Sequence, residues 1–279
     1  MLTERMGRPP RRIAVIGGGI SGMAAAHLLA PDHHVTLIEA APRLGGHART
    51  VIAGKRHDQP VDTGFIVFNR VNYPLLTQLF TDLDVPVVPS DMSFGASIDG
   101  GRIEYGLRNL RAVFAQRRNV FRPEFMRMIR DILRFNARAV RDADDPTMTI
   151  GDLLEKIGTG NWFRDYYIAP LSGAIWSTPT RGILSFPAQA LIRFFENHAL
   201  LSYTGQHQWL TVKGGSVAYV TRLEAALRRA GVTIRMSAPV AAVRRTALGV
   251  EIRCENAEWE GFDEVVFASH SDDALALLS

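Results

Sequence analysis

Blocks of apolar residues near the start of the chain predict a strand, a helix and a second strand in close succession. Residues 13–16 form a short apolar run, which is typical of a strand buried in a parallel sheet. Residues 23–30 are rich in Ala and Leu and predict the helix that follows. A second apolar run at residues 35–38 predicts another buried strand, which ends at Glu39. The pattern indicates a β-α-β unit at the start of an α/β domain.

The hydrophobic pattern changes in the middle of the chain and then returns to the α/β type. Residues 93–98 and 102–105 alternate on either side of Asp99-Gly100-Gly101, which predicts an antiparallel hairpin. Helical spacing follows at residues 108–117, 123–141, 150–156 and 188–200. After Trp209 we predict a helix at residues 217–229 and strands at 232–236, 240–245, 249–254 and 264–268. We therefore expect a split α/β domain, residues 10–68 and 209–279, with an inserted mixed α+β substrate domain at 69–208.

Three glycines lie between the first strand and the helix in the spacing G-x-G-x-x-G. Gly17 permits the tight turn, Gly19 lets a pyrophosphate approach the backbone, and Gly22 lets the helix pack closely on the strand. The free N–H groups and the dipole at the start of the helix attract phosphates. Because this triplet is placed between a strand and a helix, it predicts a dinucleotide site of the Rossmann type.

The acid at the end of the second strand narrows the choice of dinucleotide. Glu39 follows Gly22 by seventeen residues, near the spacing of a carboxylate that binds a ribose 2′-hydroxyl. An acid at this position disfavours a 2′-phosphate, which leaves NAD and the ADP half of FAD. We expect Glu39→Ala to weaken dinucleotide binding with little change in the stability of the apo protein.

The segment after Glu39 favours the larger cofactor. Arg43 and the pair Gly45-Gly46 follow within seven residues, and a plain NAD domain has no need of a second glycine pair there. FAD continues past the pyrophosphate toward a distant ring, so that its chain needs further backbone contacts. We expect Val in place of both Gly45 and Gly46 to reduce FAD affinity sharply.

Several motifs resemble those of a known superfamily. The segment E-A-x-x-R-L-G-G-H-x-x-T at residues 39–50 resembles the second FAD motif of the flavin-containing amine oxidase and phytoene desaturase superfamily. Residues 61–69 are similar to its D-x-G segment, which passes near the flavin, and residues 210–215 to its return into the FAD domain. Residues 73–74 and 92–94 resemble the bacterial predicted NAD/FAD-binding proteins found beside cyclopropane-fatty-acid synthases.

This resemblance implies a Rossmann-like FAD-binding domain of the glutathione-reductase type. It implies FAD as cofactor and hydride removal from a carbon of an apolar substrate, such as a lipid acyl chain, or of an amine. Pro239 and Val240 resemble the strand whose backbone contacts adenine. The residues expected to bind the cofactor are Gly17, Gly19, Ser21, Gly22, Glu39, Ala40, Arg43, Gly45, Gly46, His47, Thr63, Gly64 and Val240.

The sequence departs from the superfamily pattern at three places. His47 stands where amine oxidases usually have Arg, and Phe65 stands where many members have a second Gly. The chain stops nine residues after His270, before the terminal segment that covers the flavin in the resembling proteins. We therefore expect a truncated form with weak flavin retention. A non-catalytic nucleotide-binding fragment is the alternative, and an NAD-dependent dehydrogenase is a weaker one.

Composition excludes several other classes of protein. The single cysteine, Cys254, rules out an internal disulfide framework and a multi-cysteine metal site. No apolar run approaches the length of roughly 18 residues that a membrane span needs. The basic residues 1–12 precede a core strand and have no signal-peptide pattern, so that a cytoplasmic location is expected. The histidines show no metal-ligand spacing.

The middle of the chain is strongly basic. Residues 102–141 contain eleven Arg against three acids. One face of the predicted helix at 123–141 carries Arg127, Arg130, Arg134, Arg138 and Arg141, and another carries Phe125, Ile129, Ile132, Phe135 and Ala139. Such a helix is either a solvated surface helix or a peripheral contact for an anionic membrane. Nucleic acid is not indicated, because no groove-reading pattern accompanies the charge.

The sequence assigns no catalytic residue. In flavin enzymes the cofactor performs the chemistry, while the protein supplies orientation and electrostatics. Trp176, Tyr105, Tyr203 and His207 are candidates for lining a substrate cavity, with ordinary packing as the alternative for each.

Overall fold

The computed structural model describes residues 9–176, 179–202, 205 and 207–278. These residues form two compact units. The first contains the chain up to Pro89 and again from Leu210 onward, and the second contains Ser90–Trp209. The first boundary lies later than the expected position after residue 68, because residues 69–89 fold with the first unit. The second boundary lies one residue from the expected position.

The first unit begins with the predicted strand, helix and strand. Its elements up to the boundary are β1 (Arg12–Ile16), α1 (Ile20–Leu29), β2 (His34–Ile38), β3 (Thr50–Ala53), β4 (Gln59–Asp62), α2 (Pro74–Asp82) and β5 (Val87–Ser90). The β3–β4 hairpin, α2 and β5 were not predicted. Strand β4 is polar and mostly exposed, and the apolar run of β3 is only three residues long and partly buried, so that neither strand was recognised in the sequence.

The second unit is mainly helical after its opening hairpin. Its elements are β6 (Gly95–Ile98), β7 (Ile103–Gly106), α3 (Leu110–Val113), α4 (Pro123–Asp142), α5 (Ile150–Ile157), α6 (Asn161–Phe163), α7 (Ala169–Trp176), α8 (Thr180–Ile183) and α9 (Ala188–Asn197), with a 3₁₀ helix at Arg117–Phe121 and a π-helical turn at Arg164–Ile168. The helix predicted at 108–117 is wrong in extent, since only one turn forms after the Asn109 cap.

The chain then completes the first unit. The remaining elements are β8 (Trp209–Val212), α10 (Val217–Arg229), β9 (Thr233–Arg235), β10 (Val240–Thr246), β11 (Gly249–Cys254), β12 (Glu260–Phe262), β13 (Glu264–Phe267) and α11 (Ser271–Leu277). The bounds of α10 and β11 agree with the prediction. Both elements have a clear apolar periodicity over their whole length.

A four-stranded parallel sheet in the order β13-β1-β2-β9 organises the first unit. Val15 in β1 is opposite Leu37 in β2 and Val266 in β13, so that β1 is central. A separate antiparallel sheet contains β10, β11 and β12. Because all four strands of the parallel sheet run in one direction, the segments that follow β1, β2 and β13 meet at its carboxyl edge.

Helix α1 packs on this sheet beside α10, and an aromatic group extends the same core. Gly22, Met23 and Ala26 are the buried residues of α1. The Phe80 ring lies 5.2 Å from Phe68 and 5.1 Å from Tyr219, measured between ring centroids. Burial, with the charge of Asp62 nearby, raises the pKa of Tyr219 to about 12. The core thus reaches from the sheet to the start of α10.

Helix α4 has its apolar face buried in the second unit. Its buried residues are Phe125, Met128, Asp131, Phe135, Ala139 and Asp142. The apolar face therefore forms part of the core of the second unit. Arg138 and Arg141 both donate to the buried Asp142, and Arg141 in particular lowers the pKa of that carboxyl.

The other arginines of α4 differ in their contacts and exposure. Arg134 donates to the Gly158 carbonyl at 2.8 Å, whereas Arg127 and Arg130 are exposed. Peripheral contact with an anionic membrane stays a prediction that rests on these two exposed arginines. In the described part of the chain, no helix combines the length and apolar character of a bilayer-spanning segment.

Candidate cofactor site

Two glycines of the turn between β1 and α1 are required by the protein itself. Gly17 has φ +108°, and a Cβ there would lie 2.8 Å from the Ala268 carbonyl oxygen of the segment after β13. A Cβ on Gly22 would lie 1.8 Å from the Gly17 carbonyl oxygen. These positions let α1 start directly beneath the end of β1, as the sequence predicted.

Gly19 is different, because nothing in the protein requires it to be glycine. Its φ of −70° and ψ of −178° suit any residue. A Cβ there would meet only the Gly46 Cα, at 4.0 Å. The space in front of Gly19 is thus open, and the first turn of α1 presents backbone N–H groups without intrahelical partners. This is the arrangement that lets a phosphate approach the backbone.

The Glu39 carboxylate is fixed by two backbone amides. Its Oε2 accepts from the Gly18 N–H at 2.5 Å, and its Oε1 accepts from the Ala41 N–H at 2.7 Å. An ionised carboxylate offers about four lone-pair positions, so that about two remain for a ligand. Glu39 therefore connects the glycine turn to the end of β2 and still has the capacity to accept ribose hydroxyls.

These contacts correct the expectation that removing Glu39 leaves the apo protein unchanged. We now expect Glu39→Gln to lower the free energy of unfolding by about 1–3 kcal/mol, because one of the two amides faces an NH₂ group and loses its acceptor. FAD affinity should fall about tenfold or more, by a further 1.5–3 kcal/mol. Thermal unfolding of the apo protein and calorimetric titration with FAD measure the two effects separately. Unchanged FAD affinity would contradict the ribose assignment.

The Gly45-Gly46 pair forms a loop that is held against the glycine turn. The Gly45 N–H donates to the Gly18 carbonyl at 2.8 Å, and Gly19 and Gly45 form an isolated parallel bridge. A Cβ on Gly45 would lie 2.8 Å from the Ala48 carbonyl oxygen, and one on Gly46 would lie 3.0 Å from the Gly19 Cα. Replacing both by Val would therefore disturb the loop itself as well as any cofactor contact. The prediction that this double variant affects FAD binding alone is wrong.

Arg43 supports this loop. Its guanidinium donates to the Gly46 carbonyl at 2.9 Å and to the Leu44 carbonyl at 3.3 Å. It does not line the cavity described below, contrary to the expectation of a direct cofactor contact. The sequence could not show this, because an arginine in a glycine loop serves either purpose.

The D-x-G segment also supports a loop of the site, the one that carries His47. A Cβ on Gly64 would lie 1.9 Å from the His47 carbonyl oxygen, and the Thr63 N–H donates to the Arg49 carbonyl at 2.9 Å. Asp62 accepts from the Ser216 N–H and hydroxyl at the start of α10. Thr63 and Gly64 thus pack against the backbone of the His47 loop, and neither residue lines the cavity.

A cavity of about 750 Å³ opens at the carboxyl edge of the parallel sheet. Nine predicted residues line it, namely Gly17, Gly19, Ser21, Glu39, Ala40, Gly45, Gly46, His47 and Val240. Gly22, Arg43, Thr63 and Gly64 lie outside the lining. Val240 reaches the cavity because the Ala238 N–H donates to the Glu39 carbonyl at 3.0 Å and fixes the start of β10 there.

Other residues of the cavity were missed by the sequence analysis. They are Phe65, Leu76, Tyr219, Ser269, His270, Asp273, Ala276 and Leu277, among others. Those after residue 268 follow β13, which pairs with β1 in parallel. A signal was present, because the predicted parallel strand at 264–268 had to deliver its following residues to the edge where Gly17 lies.

The described candidates for a substrate cavity belong to the second unit. Tyr105 is buried in the core of the second unit, and its hydroxyl donates to the Tyr166 carbonyl. The Trp176 ring stacks on Phe186, with centroids 5.6 Å apart. His207 is half-buried, and its Nε2 lies 3.2 Å from the Asn197 carbonyl oxygen. Tyr203 lies outside the described residues. None of the three described side chains lines the large cavity.

The parallel sheet, the glycine turn and the acid at the end of β2 together define a Rossmann-type dinucleotide-binding domain. Residues 20–278 match the family described as flavin containing amine oxidoreductase. The chain therefore belongs to this family, whose cofactor is FAD.

Several known oxidases are similar to this chain, and the chain covers a different share of each. The L-amino-acid oxidase of Sistrurus catenatus edwardsii is 48% identical over 42 residues, which is 15% of this chain and 8% of the relative. Cyclohexylamine oxidase from Brevibacterium oxydans superposes with a TM-score of 0.67 at 19% identity, covering 97% of this chain and 60% of that one. A putrescine oxidase bound to putrescine gives 0.65 at 19% identity, covering 93% and 58%. The chain thus spans about 60% of these solved oxidases.

The residues at the cavity fit the ADP half of FAD. The open space at Gly19 and the start of α1 suit the pyrophosphate, and the spare acceptors of Glu39 suit the ribose. Pro239 and Val240 offer apolar surface for adenine. The volume also lies within the range of about 300–1,000 Å³ that is usual for ligand sites.

Proposed function

We propose that the chain is the FAD-binding part of an oxidoreductase that removes a hydride from a carbon attached to an amine nitrogen. The cavity at Gly19 and Glu39, in a chain that matches the flavin amine oxidoreductase family, carries this proposal. Bound FAD supplies the hydride acceptor. The substrate amine would lose a hydride to this acceptor and a proton to solvent and become an imine, which water would hydrolyse to a carbonyl compound and ammonia or a shorter amine.

The residues around the cavity would bind and orient the cofactor. Glu39 would accept hydrogen bonds from the ribose, and the amides at the start of α1 would donate to the pyrophosphate. The loop of Gly45 and Gly46, supported by Arg43 and Gly64, would guide the cofactor beyond the glycine turn. Tyr219 is protonated at neutral pH, as an ordinary tyrosine is, and its raised pKa extends this uncharged form further into the alkaline range, so that it offers an uncharged wall to the cavity.

The names of the similar solved proteins favour an amine as substrate. They include oxidases of putrescine and of cyclohexylamine. A lipid acyl substrate rests on the sequence resemblance to neighbours of cyclopropane-fatty-acid synthases. A non-catalytic flavin-binding module is a third reading of the same cavity. An NAD-dependent dehydrogenase is not favoured, because the family is one of flavoproteins.

Reductive titration of the reconstituted protein tests the proposal. The purified chain is loaded with FAD, freed of excess cofactor and mixed anaerobically with cyclohexylamine, putrescine, an L-amino acid, a fatty acyl ester or NADH. We expect the visible flavin band to be retained and then bleached by an amine. Bleaching by the acyl ester alone would favour the lipid reading. Retained FAD that no substrate bleaches would contradict the amine assignment and favour the binding module.

A further inference from the structure

The fixed charges of the cavity lining do not balance the negative charge of a dinucleotide. A dinucleotide carries two negative charges on its diphosphate. Among the lining residues that the structure describes, Glu39 and Asp273 are acidic, and none is Arg or Lys. Within the described part of the lining, His47 and His270 are the side chains that can become cationic near neutral pH.

These two imidazoles form a stacked pair. Their ring centroids lie 5.4 Å apart, and their planes differ by 9°. Both side chains are exposed, so that a ligand can reach them. His47 follows the Gly45-Gly46 loop, and His270 follows β13. The pair therefore joins two segments that are far apart in the sequence.

The position of the pair places it at the phosphate end of the cavity. Gly46, which precedes His47, lies against Gly19. Ala268, two residues before His270, lies against Gly17. Both imidazoles thus flank the glycine turn, where the open space and the start of α1 favour an anion.

We propose that His47 and His270 together bind the diphosphate of FAD in their protonated form, so that FAD binding takes up protons. This inference rests on the proposed FAD site. A diphosphate that accepts hydrogen bonds from the N–H groups of both imidazoles interacts more strongly with their charged form. The bound anion therefore favours protonation of the pair, and by linkage protonation favours binding.

Charged groups of both signs lie on the segments around the pair. The side chains of His270, Asp272 and Asp273 bring atoms within 4.8 Å of one another, so that two carboxylates lie on the His270 side of the pair. Glu39 lies on the end of β2 and is directed to its two amides. On the His47 loop, Arg43 is held by the Leu44 and Gly46 carbonyls, and Arg49 is exposed. FAD affinity should accordingly be highest near pH 6 and fall as pH rises through the histidine range to pH 8.

Calorimetric titration tests this linkage directly. FAD and ADP-ribose are titrated at pH 6 and pH 8, because their diphosphate diesters do not themselves ionise in this range, and adenosine serves as the ligand without phosphate. Each titration is repeated in two buffers of different ionisation enthalpy, which gives the number of protons taken up. For the unchanged protein we expect about tenfold tighter FAD binding at pH 6, as for the gain of one or more charge-assisted hydrogen bonds.

Variants separate the histidine pair from the rest of the site. In the double variant His47→Gln with His270→Gln, the pH dependence and the proton uptake should both disappear. His47→Arg should keep the affinity at pH 8 within about threefold of the value at pH 6, because its charge does not titrate. His34→Gln, an exposed histidine outside the cavity lining, is the matched control and should behave as the unchanged protein.

The outcomes distinguish this inference from the proposed function. If FAD and ADP-ribose bind, but the double variant has the same affinity and proton uptake as the unchanged protein, the histidine pair is overturned and the FAD site stands. If neither ligand binds a folded protein at either pH, the FAD site itself is overturned, and the histidine inference falls with it. Circular dichroism of each variant establishes that it is folded.

Discussion

Gly22→Ala is expected to lower the free energy of unfolding by about 3 kcal/mol, at the upper end of the range for an overpacked core. The added Cβ would lie 1.8 Å from the Gly17 carbonyl oxygen, a backbone atom that cannot turn away. Helix α1 would have to move off the end of β1, although it also packs against α10 and β2. For a protein of this size the change corresponds to a decrease in Tm of about 6–12 °C.

A glycine elsewhere in the same unit provides the control for this substitution. A Cβ on Gly261, in β12, would meet no atom within 4 Å, and its backbone needs no positive φ. Gly261→Ala should therefore unfold at the same temperature as the unchanged protein or slightly higher. Equal Tm values for Gly22→Ala and Gly261→Ala would show that α1 can shift freely, which would contradict the role assigned to Gly22.

Gly19→Val is expected to produce the opposite pattern, with a stable apo protein that no longer binds FAD. The backbone at Gly19 accepts any residue, and its Cβ direction meets only the Gly46 Cα at 4.0 Å. The new side chain would occupy the open space that the pyrophosphate is proposed to fill. Gly19→Ala should weaken FAD binding by about 1–3 kcal/mol, or up to about a hundredfold, and Gly19→Val by more.

Measuring the stability of the apo protein and its affinity for FAD separately tests this prediction. Thermal unfolding without cofactor should place Gly19→Ala within about 1 kcal/mol of the unchanged protein, while titration with FAD and ADP-ribose follows the loss of binding. Gly261→Val serves as the control for a bulky residue on an exposed strand. FAD binding by Gly19→Val with unchanged affinity would mean that the diphosphate lies elsewhere in the cavity.

The sequence by itself determined the local architecture of the cofactor domain. The strand, glycine turn, helix and acid from residue 13 to Glu39 were predicted correctly, because each depends on neighbours within a few residues. Apolar periodicity fixes the strands and the helix, and the absence of a Cβ fixes the turn. The same local reasoning gave the bounds of α10 and β11. It missed β3 and β4, because four-residue strands that are at most half-buried are too short to give a clear periodic signal.

Only the tertiary structure decided which of these residues face the cavity. Arg43 belongs to the same motif as Gly46, and Gly64 belongs to the D-x-G segment, yet both contact the loop backbone and neither lines the cavity. Which residues of a motif face a cavity depends on what packs around them. The apolar face of α4 was visible in the sequence, but its burial depends on partners elsewhere in the second unit.

The pairing of His47 with His270 shows the same limit most clearly. The two residues are adjacent because β13 pairs with β1 while the glycine loop returns to Gly19, so that two distant segments end at one edge of the sheet. Sequence periodicity describes which face of an element is apolar. It does not measure the distance between side chains at the ends of different elements, and that distance is what allows two imidazoles to contact one anion.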